Sequence, residues 1–195
     1  MSATGRGSKR EARDYYPTPP WCVVALREDL HAVDPRDHLS ALDAGAGDGR
    51  IGAMLETRGF WAEGVDLEPQ GKGVTRGDFL GPGWRRARYD VVASNPPFGL
   101  AYEFLRAGLA IAPNVVMLVR LNWLGSDIRS RFFRLHPPRR VLVLTPRPSF
   151  VKGKTDACEY AWIYWCQGKT PTWMRRDPWA WARREELESF INDGE

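Results

Sequence analysis

Residues 39–59 read LSALDAGAGDGRIGAMLETRG, and the fold is decided here. Leu39 to Ala44 is an apolar run of strand length, too short to make a helix of its own. Glycines at 45, 47 and 49 follow at every second position, and RIGAMLETRG (50–59) then has helical periodicity, with Gly59 placed as its C-cap. A strand, a Gly-rich turn and a helix in immediate succession open a unit with parallel strands. Working outward, WAEGVDL (61–67), DVVAS (90–94), NVVMLVR (114–120), RRVLVLT (139–145) and CEYAWIYWC (158–166) read as further strands. WCVVALREDL (21–30), GLAYEFLRAGLAIA (99–112) and SDIRSRFFRLH (126–136, Ser126 as N-cap) read as helices between them. WAWARREELESFI (179–191) is expected to be a last helix. Strands alternating with helices predict a doubly wound α/β sheet. The last two strand segments have no helix-length stretch between them, which predicts an antiparallel final strand.

Composition agrees with one folded domain. The chain has 195 residues, 43% hydrophobic and 27% charged, with 28 Lys+Arg against 24 Asp+Glu. Residues 1–13 are expected to be a flexible basic arm and 14–195 a single domain. Cys22, Cys158 and Cys166 lie far apart without a CxxC, which excludes a disulfide scaffold and fits a reduced, cytoplasmic setting. The most apolar stretch, Ala107 to Val119, is interrupted by Pro113 and Asn114 and meets Arg120, so neither a membrane span nor a secretory signal is expected. His31, His38 and His136 lack metal-ligand spacing, and no metal is expected. Charge is unevenly spread. From Arg120 to Lys154 nine basic residues face only Asp127, the footprint of a polyanion partner.

Gly47, Gly49 and Gly52 satisfy G-x-G-x-x-G, with Asp66 closing the next strand, which taken mechanically is a dinucleotide fingerprint. Such a loop cradles a pyrophosphate on its N–H groups. Here Asp48 lies inside the loop and Asp43 just before it, and two carboxylates would oppose a doubly charged phosphate bridge. A ligand with a positive centre and no phosphate suits the loop better, and S-adenosylmethionine (SAM) is one. The string LDAGAGDGR, with Asp43, Gly45, Gly47 and Gly49 at alternate positions, resembles motif I of the class I SAM-dependent methyltransferases. That resemblance implies a Rossmann-like fold: a mostly parallel seven-stranded sheet with an antiparallel last strand and helices on both faces. It also implies that Asp66, with Leu67 beside it, takes the ribose hydroxyls. Asp78 would accept from the adenine amino group, with Phe79 against the ring.

Asn95-Pro96-Pro97-Phe98 stands at the end of the DVVAS strand, where an open α/β sheet places its ligands. The prolines fix the backbone, Asn95 supplies a neutral acceptor, and Phe98 a flat apolar face. This set suits a planar amine on a π system: the Asn95 oxygen and the Pro96 carbonyl each accept one amino hydrogen while Phe98 stacks on the ring. NPPF resembles the catalytic [N/D/S]-P-P-[Y/F/W] motif of amino-methyltransferases. Cytosine C5 chemistry would need a thiol after a proline, and none of the three cysteines follows one. Tyr16-Pro17-Thr18-Pro19-Pro20 is similar to motif X of adenine-N6 DNA methyltransferases, whose backbone and hydroxyl touch the SAM carboxylate. From Tyr15 to Trp165 the chain resembles a small phage- or prophage-type DNA N6-adenine methyltransferase, which implies DNA as partner. RNA adenine or guanine methylation, and glutamine methylation of a protein, share very similar sites. An inactive SAM-sensing DNA-binding module is the reading from another class. Trp123, after a strand's carboxyl end, is expected at the cleft, and Lys152 and Lys154 are candidate phosphate contacts. Trp162 and Trp165, alternating with apolar neighbours, are expected in the core.

Overall fold

The computed structural model describes residues 16–150, 157–188 and 190. The strands are β1 (Ser40–Ala44), β2 (Trp61–Asp66), β3 (Val74–Arg76), β4 (Val91–Ser94), β5 (Asn114–Arg120), β6 (Arg140–Thr145), β7 (Tyr160–Cys166) and β8 (Trp179–Arg183). They form one sheet in the order β3-β2-β1-β4-β5-β7-β6-β8. All neighbours run parallel except β7, which is antiparallel to both β5 and β6. The order reverses between β1 and β4, and the carboxyl ends of these two strands border the crevice where such sheets hold ligands.

Helices cover both faces. α1 (Pro20–Asp29) and α2 (Arg50–Glu56) pack Trp21, Cys22, Leu26, Ile51 and Leu55 against Val116, Leu118, Trp162 and Tyr164. On the opposite face α3 (Ala101–Ile111) contributes Phe104, Leu105 and Ile111, which join Met117, Ile163 and Trp165 in a second core. α4 (Asp127–Leu135) lies outermost on that side and buries no residue fully. β5 and β7 form the centre of gravity, since Trp162, Trp165, Tyr160, Tyr164, Met117, Leu118 and Ile163 are all less than 2% exposed. Each such side chain removed from water is worth about 1.5–3 kcal/mol. Trp162 and Trp165 thus lie in the core, and Trp162 Nε1 donates to the Cys22 carbonyl at 2.8 Å.

Three expectations are corrected. The sheet has eight strands where seven were expected; the antiparallel strand is β7, as expected for CEYAWIYWC, seated between β5 and β6, and a parallel β8 follows it. The segment expected as a C-terminal helix begins as β8, in parallel register with β6; a short 3₁₀ helix follows at Arg184–Leu187, and Glu188 and Phe190 beyond it are helical. WAWAR reads at period two: Ala180 and Ala182 face the core while Trp179, Trp181 and Arg183 stay exposed, and pairing with the open edge of β6 overrides the helix propensity of Ala, Arg and Glu. Ser126 does sit at the N-cap of α4, but its side chain makes no capping bond.

The basic stretch is also partly absorbed. Arg140 is 2% exposed and forms an ion pair with Asp29 (Nε to Oδ2 2.7 Å), which accepts from Tyr164 Oη at 2.7 Å as well. Arg147 pairs with Glu159 at 2.6 Å. Arg140 acts inside the fold, tying α1 to β6 and β7, while the Arg147 pair lies exposed and ties one loop to the next. Residues 1–13, Lys152 and Lys154 lie outside the described residues.

Candidate active site

The glycine loop closes over the carboxyl end of β2. Gly45 N and Ala46 N both donate to the Val65 carbonyl, at 2.9 and 3.0 Å. Gly45 (φ +69°) and Gly47 (φ +56°) are left-handed, a conformation that a side chain at either position would strain. Space is short as well: a Cβ on Gly45 would stand 3.3 Å from the Phe104 ring.

Asp66 organises this loop from below. Its Oδ2 accepts from Gly47 N and its Oδ1 from Glu68 N, each at 2.8 Å. The carboxylate expected on the ribose is therefore already a backbone anchor, with lone pairs left for a hydroxyl. Leu67 next to it is 60% exposed. Asp78 is exposed and caps its own turn through Leu80 N at 2.9 Å. Phe79 is not an open ring beside it. It is 5% exposed and packs at 5.0 Å on Phe104, in the core that floors the loop.

Asp43 ends up fully buried beneath the loop. Oδ2 accepts from Gly52 N at 2.9 Å, and Oδ1 has no partner among the described residues. Burial pushes its carboxyl up to about 7, against the lowering effect of the Gly52 bond, and the negative charges of Asp48 and Asp66 add to the rise. Asp48 is different. Its carboxylate is held by Arg50, with Nε at 2.9 and 2.8 Å from the two oxygens. The negative field under the loop thus comes from Asp66 and, once ionised, Asp43, with Asp48 offset in part by Arg50.

Three sequence motifs meet here. Arg50 Nη1 donates to the Thr18 carbonyl at 2.6 Å, which fastens the Tyr16–Pro20 segment to the loop. Asn95 Nδ2 donates to Thr18 Oγ1 at 3.0 Å and to the Tyr16 carbonyl at 3.3 Å, which fastens the same segment to NPPF. β1 and β4 are in register with Asp43 opposite Ala93, and Ser94 Oγ donates to the Ala44 carbonyl at 2.6 Å, so Gly45 and Asn95 leave adjacent strands side by side. With the Asn95 amide N–H groups turned to Thr18 and Tyr16, its Oδ1 is the atom left to accept. Pro19 caps the start of α1 through its carbonyl and Cys22 N at 2.9 Å.

Phe98 stands in an aromatic group that sequence reading does not anticipate. Tyr16 stacks near-parallel on it (5.8 Å between centroids, 28°), Phe150 meets it edge-on (6.0 Å, 84°), and Tyr160 is tilted at 5.9 Å. Arg120, at the end of β5, sets its guanidinium 4.3 Å over the Phe98 ring. Pro96 is buried and Pro97 exposed. Trp123 is not at the cleft: it is 9% exposed, packed edge-on against Phe133 and Trp165, with Arg129 over its ring at 5.0 Å. The 3₁₀ turn that follows β5 folds it back onto the core. Among the described residues no group of three or more His, Cys, Asp and Glu could hold a metal ion, and no helix is long and apolar enough to cross a membrane.

No protein-family profile and no curated protein sequence matches the chain. Solved structures do. A Listeria monocytogenes protein proposed to be a class I SAM-dependent methyltransferase superposes with TM-score 0.59 at 14% identity, over 89% of this chain and 69% of its own. The M protein of the type I restriction enzyme EcoKI gives 0.55 at 16% identity, over 91% of this chain, which spans about half (53%) of that subunit. Magnesium protoporphyrin IX methyltransferase from Synechocystis PCC 6803, solved with SAM bound, gives 0.50 at 15% identity, covering 75% and 76%. The chain has the fold of the class I SAM-dependent methyltransferases.

Proposed function

We propose that the protein binds SAM at the glycine loop and transfers its methyl group to the exocyclic N6 amino group of adenine in DNA. The observation that carries this reading is the tethering of Asn95: its amide N–H groups are committed to Thr18 and Tyr16, so its oxygen is presented to an incoming amine beside the loop. The loop residues suit this cofactor. A buried carboxylate oxygen at Asp43, without a partner among the described residues, favours a positive centre nearby, and Asp66 keeps acceptor capacity for ribose hydroxyls.

When bound, SAM supplies a methyl group on a sulfonium, already an activated leaving group. The protein's part is then alignment and electrostatics. Asn95 Oδ1 and the Pro96 carbonyl each accept one amino hydrogen and draw the nitrogen lone pair out of ring conjugation. Phe98 holds the base plane. The target adenine is flipped out or already single-stranded, because N6 within a duplex cannot be aligned with the sulfonium. DNA as substrate is supported by the likeness to a restriction-enzyme M protein and by the basic stretch from Arg120 to Lys154.

The test is direct. The protein is incubated with methyl-labelled SAM and, separately, with DNA, RNA and protein acceptors; each is then digested and the modified residue identified. N6-methyladenine in DNA, formed at least ~10²-fold more slowly with Asn95→Ala, is the expected result. Label only in RNA or in protein glutamine would reassign the substrate, and no label in any acceptor would leave a SAM-binding module.

A further inference from the structure

Arg120 closes β5 one strand over from Asn95. Its guanidinium sits 4.3 Å over the Phe98 ring, the separation of a cation stacked on a π face. It is steered there: Nε donates to Tyr160 Oη at 2.9 Å, and Tyr160 is fully buried, so the pivot of the side chain is fixed to the core. The rings that surround Phe98 do not offer an equivalent plane. Phe150 and Tyr160 meet it at 84° and 48°. Tyr16 is closer to parallel, but it belongs to the segment to which Asn95 is tied.

We propose that Arg120 is the second face of the target-base slot, a positioning residue that lies on Phe98 until the base slides between them. This rests on the reading of NPPF as an amino-methylation site. Guanidinium is planar, delocalised and weakly hydrated, and unstacked bases settle between aromatic rings and Arg planes. To admit a base the guanidinium rises by roughly 3.4 Å, the rise of one stacked base, a swing of the whole side chain that gives up the Tyr160 bond. One stacking contact and the Tyr160 bond are exchanged for two stacking contacts. In the empty site Arg120 covers the apolar face that Phe98 would otherwise expose.

The alternative for an arginine at such a site is a phosphate contact, and the two differ in what they require. A phosphate contact needs charge, whereas a stacking plane needs flatness. Arg120→Ala, Arg120→Lys and Arg120→Gln are compared, with an adenine-containing single-stranded oligodeoxynucleotide and labelled SAM, across a series of salt concentrations. Expected for Arg120→Ala is a KM for the oligonucleotide raised about tenfold, the scale of one modest stacking contact, with kcat changed far less. Flat, uncharged Gln should restore more of KM than charged Lys, and the salt dependence of KM should keep its wild-type slope in all three. Recovery by Lys together with a slope reduced by about one counterion in Ala and Gln would overturn the proposal in favour of a phosphate contact. Wild-type KM in all three would overturn it outright. SAM affinity and thermal melting, measured alongside, show that each variant is folded; if Ala is not, the Lys–Gln comparison still decides. If the wild-type enzyme transfers no methyl to adenine, the amino-methylation reading falls first and the slot with it. If it does and the variants behave as wild type, only the slot falls.

Discussion

Replacing Asp43 by Asn should make the protein more stable and worse at holding its cofactor. Buried beneath the glycine loop, the Asp43 carboxyl is pushed up to about 7 from an ordinary value of 3.8. Between those two values the unfolded chain has lost the proton and the folded chain has kept it. Folding is then opposed by about 1.4 kcal/mol for each pH unit, or about 4 kcal/mol across the interval as an upper bound. Stability conferred by this group is therefore full below pH 4, falls as pH rises through the interval, and is flat above pH 7. Asn is neutral throughout. Its oxygen can keep the bond from Gly52 N (2.9 Å in the wild type), and its amide takes the place of an oxygen that has no partner among the described residues. The assay is denaturant unfolding of both proteins from pH 4 to pH 8. Equal stability is expected at the acid end, with the Asp43→Asn variant ahead by up to ~4 kcal/mol at pH 8. SAM affinity, measured by calorimetry at pH 8, should fall at the same time, because the negative charge that favours the sulfonium and ammonium is gone. In the wild type that affinity should rise with pH through about 7 as Asp43 ionises. A constant difference between the two proteins at every pH would refute the account, since it would mean that Asp43 does not titrate above the unfolded value.

Asn95→Ala should lower kcat by at least ~10²-fold with SAM affinity nearly unchanged, as for one preorganised contact that strengthens in the transition state, while Asn95→Asp should keep partial activity because it still accepts; single-turnover methylation checks both. Asp66→Ala should weaken SAM binding by roughly 1–3 kcal/mol, and Asp66→Asn by less, since an amide oxygen still accepts from Gly47 N; calorimetry in which NAD binds tighter than SAM would count against the cofactor. Lys152→Ala with Lys154→Ala should weaken DNA binding and flatten its salt dependence by about one to two counterions, read from titrations over a range of salt.

The parts of this molecule legible in its sequence are those specified over short range. The strand, glycine turn and helix around residues 40–56 are local: a short buried apolar run in β1, left-handed glycines, and a helix that starts where they end. NPPF at the end of β4 is local too. β3 escapes notice because three residues cannot display a period, and β8 because its residues favour a helix until the edge of β6 is there to pair with. Trp123 is misjudged for a related reason. Its place after a strand is readable, but the turn that sends it back onto Trp165 is decided by packing.

At the glycine loop the same division is sharper, because the expectation of a positive ligand there leans partly on Asp48, whose carboxylate Arg50 holds. Counting carboxylates along the loop makes Asp48 the obvious obstacle to a phosphate, yet Arg50 two residues later holds it, and the same guanidinium reaches the carbonyl of Thr18. Asp48 with Arg50 is thus a clamp between the loop and the Tyr16–Pro20 segment. Asp43 and Asp66, by contrast, bind backbone N–H groups through their carboxylates and, among the described residues, no cation, so Asp66 and, once ionised, Asp43 carry the larger share of the negative charge there. One pair of residues two apart in sequence thereby links positions 18 and 50, and Asn95 links 16 and 18 to 95. The site is assembled by these few long-range bonds; the sequence marks Tyr16, Thr18 and Asn95 one by one, and their pairing with each other and with Arg50 appears only once the chain has folded. Thr18, expected from its motif as a contact for the cofactor, is thus also the residue on which the glycine loop and NPPF both close.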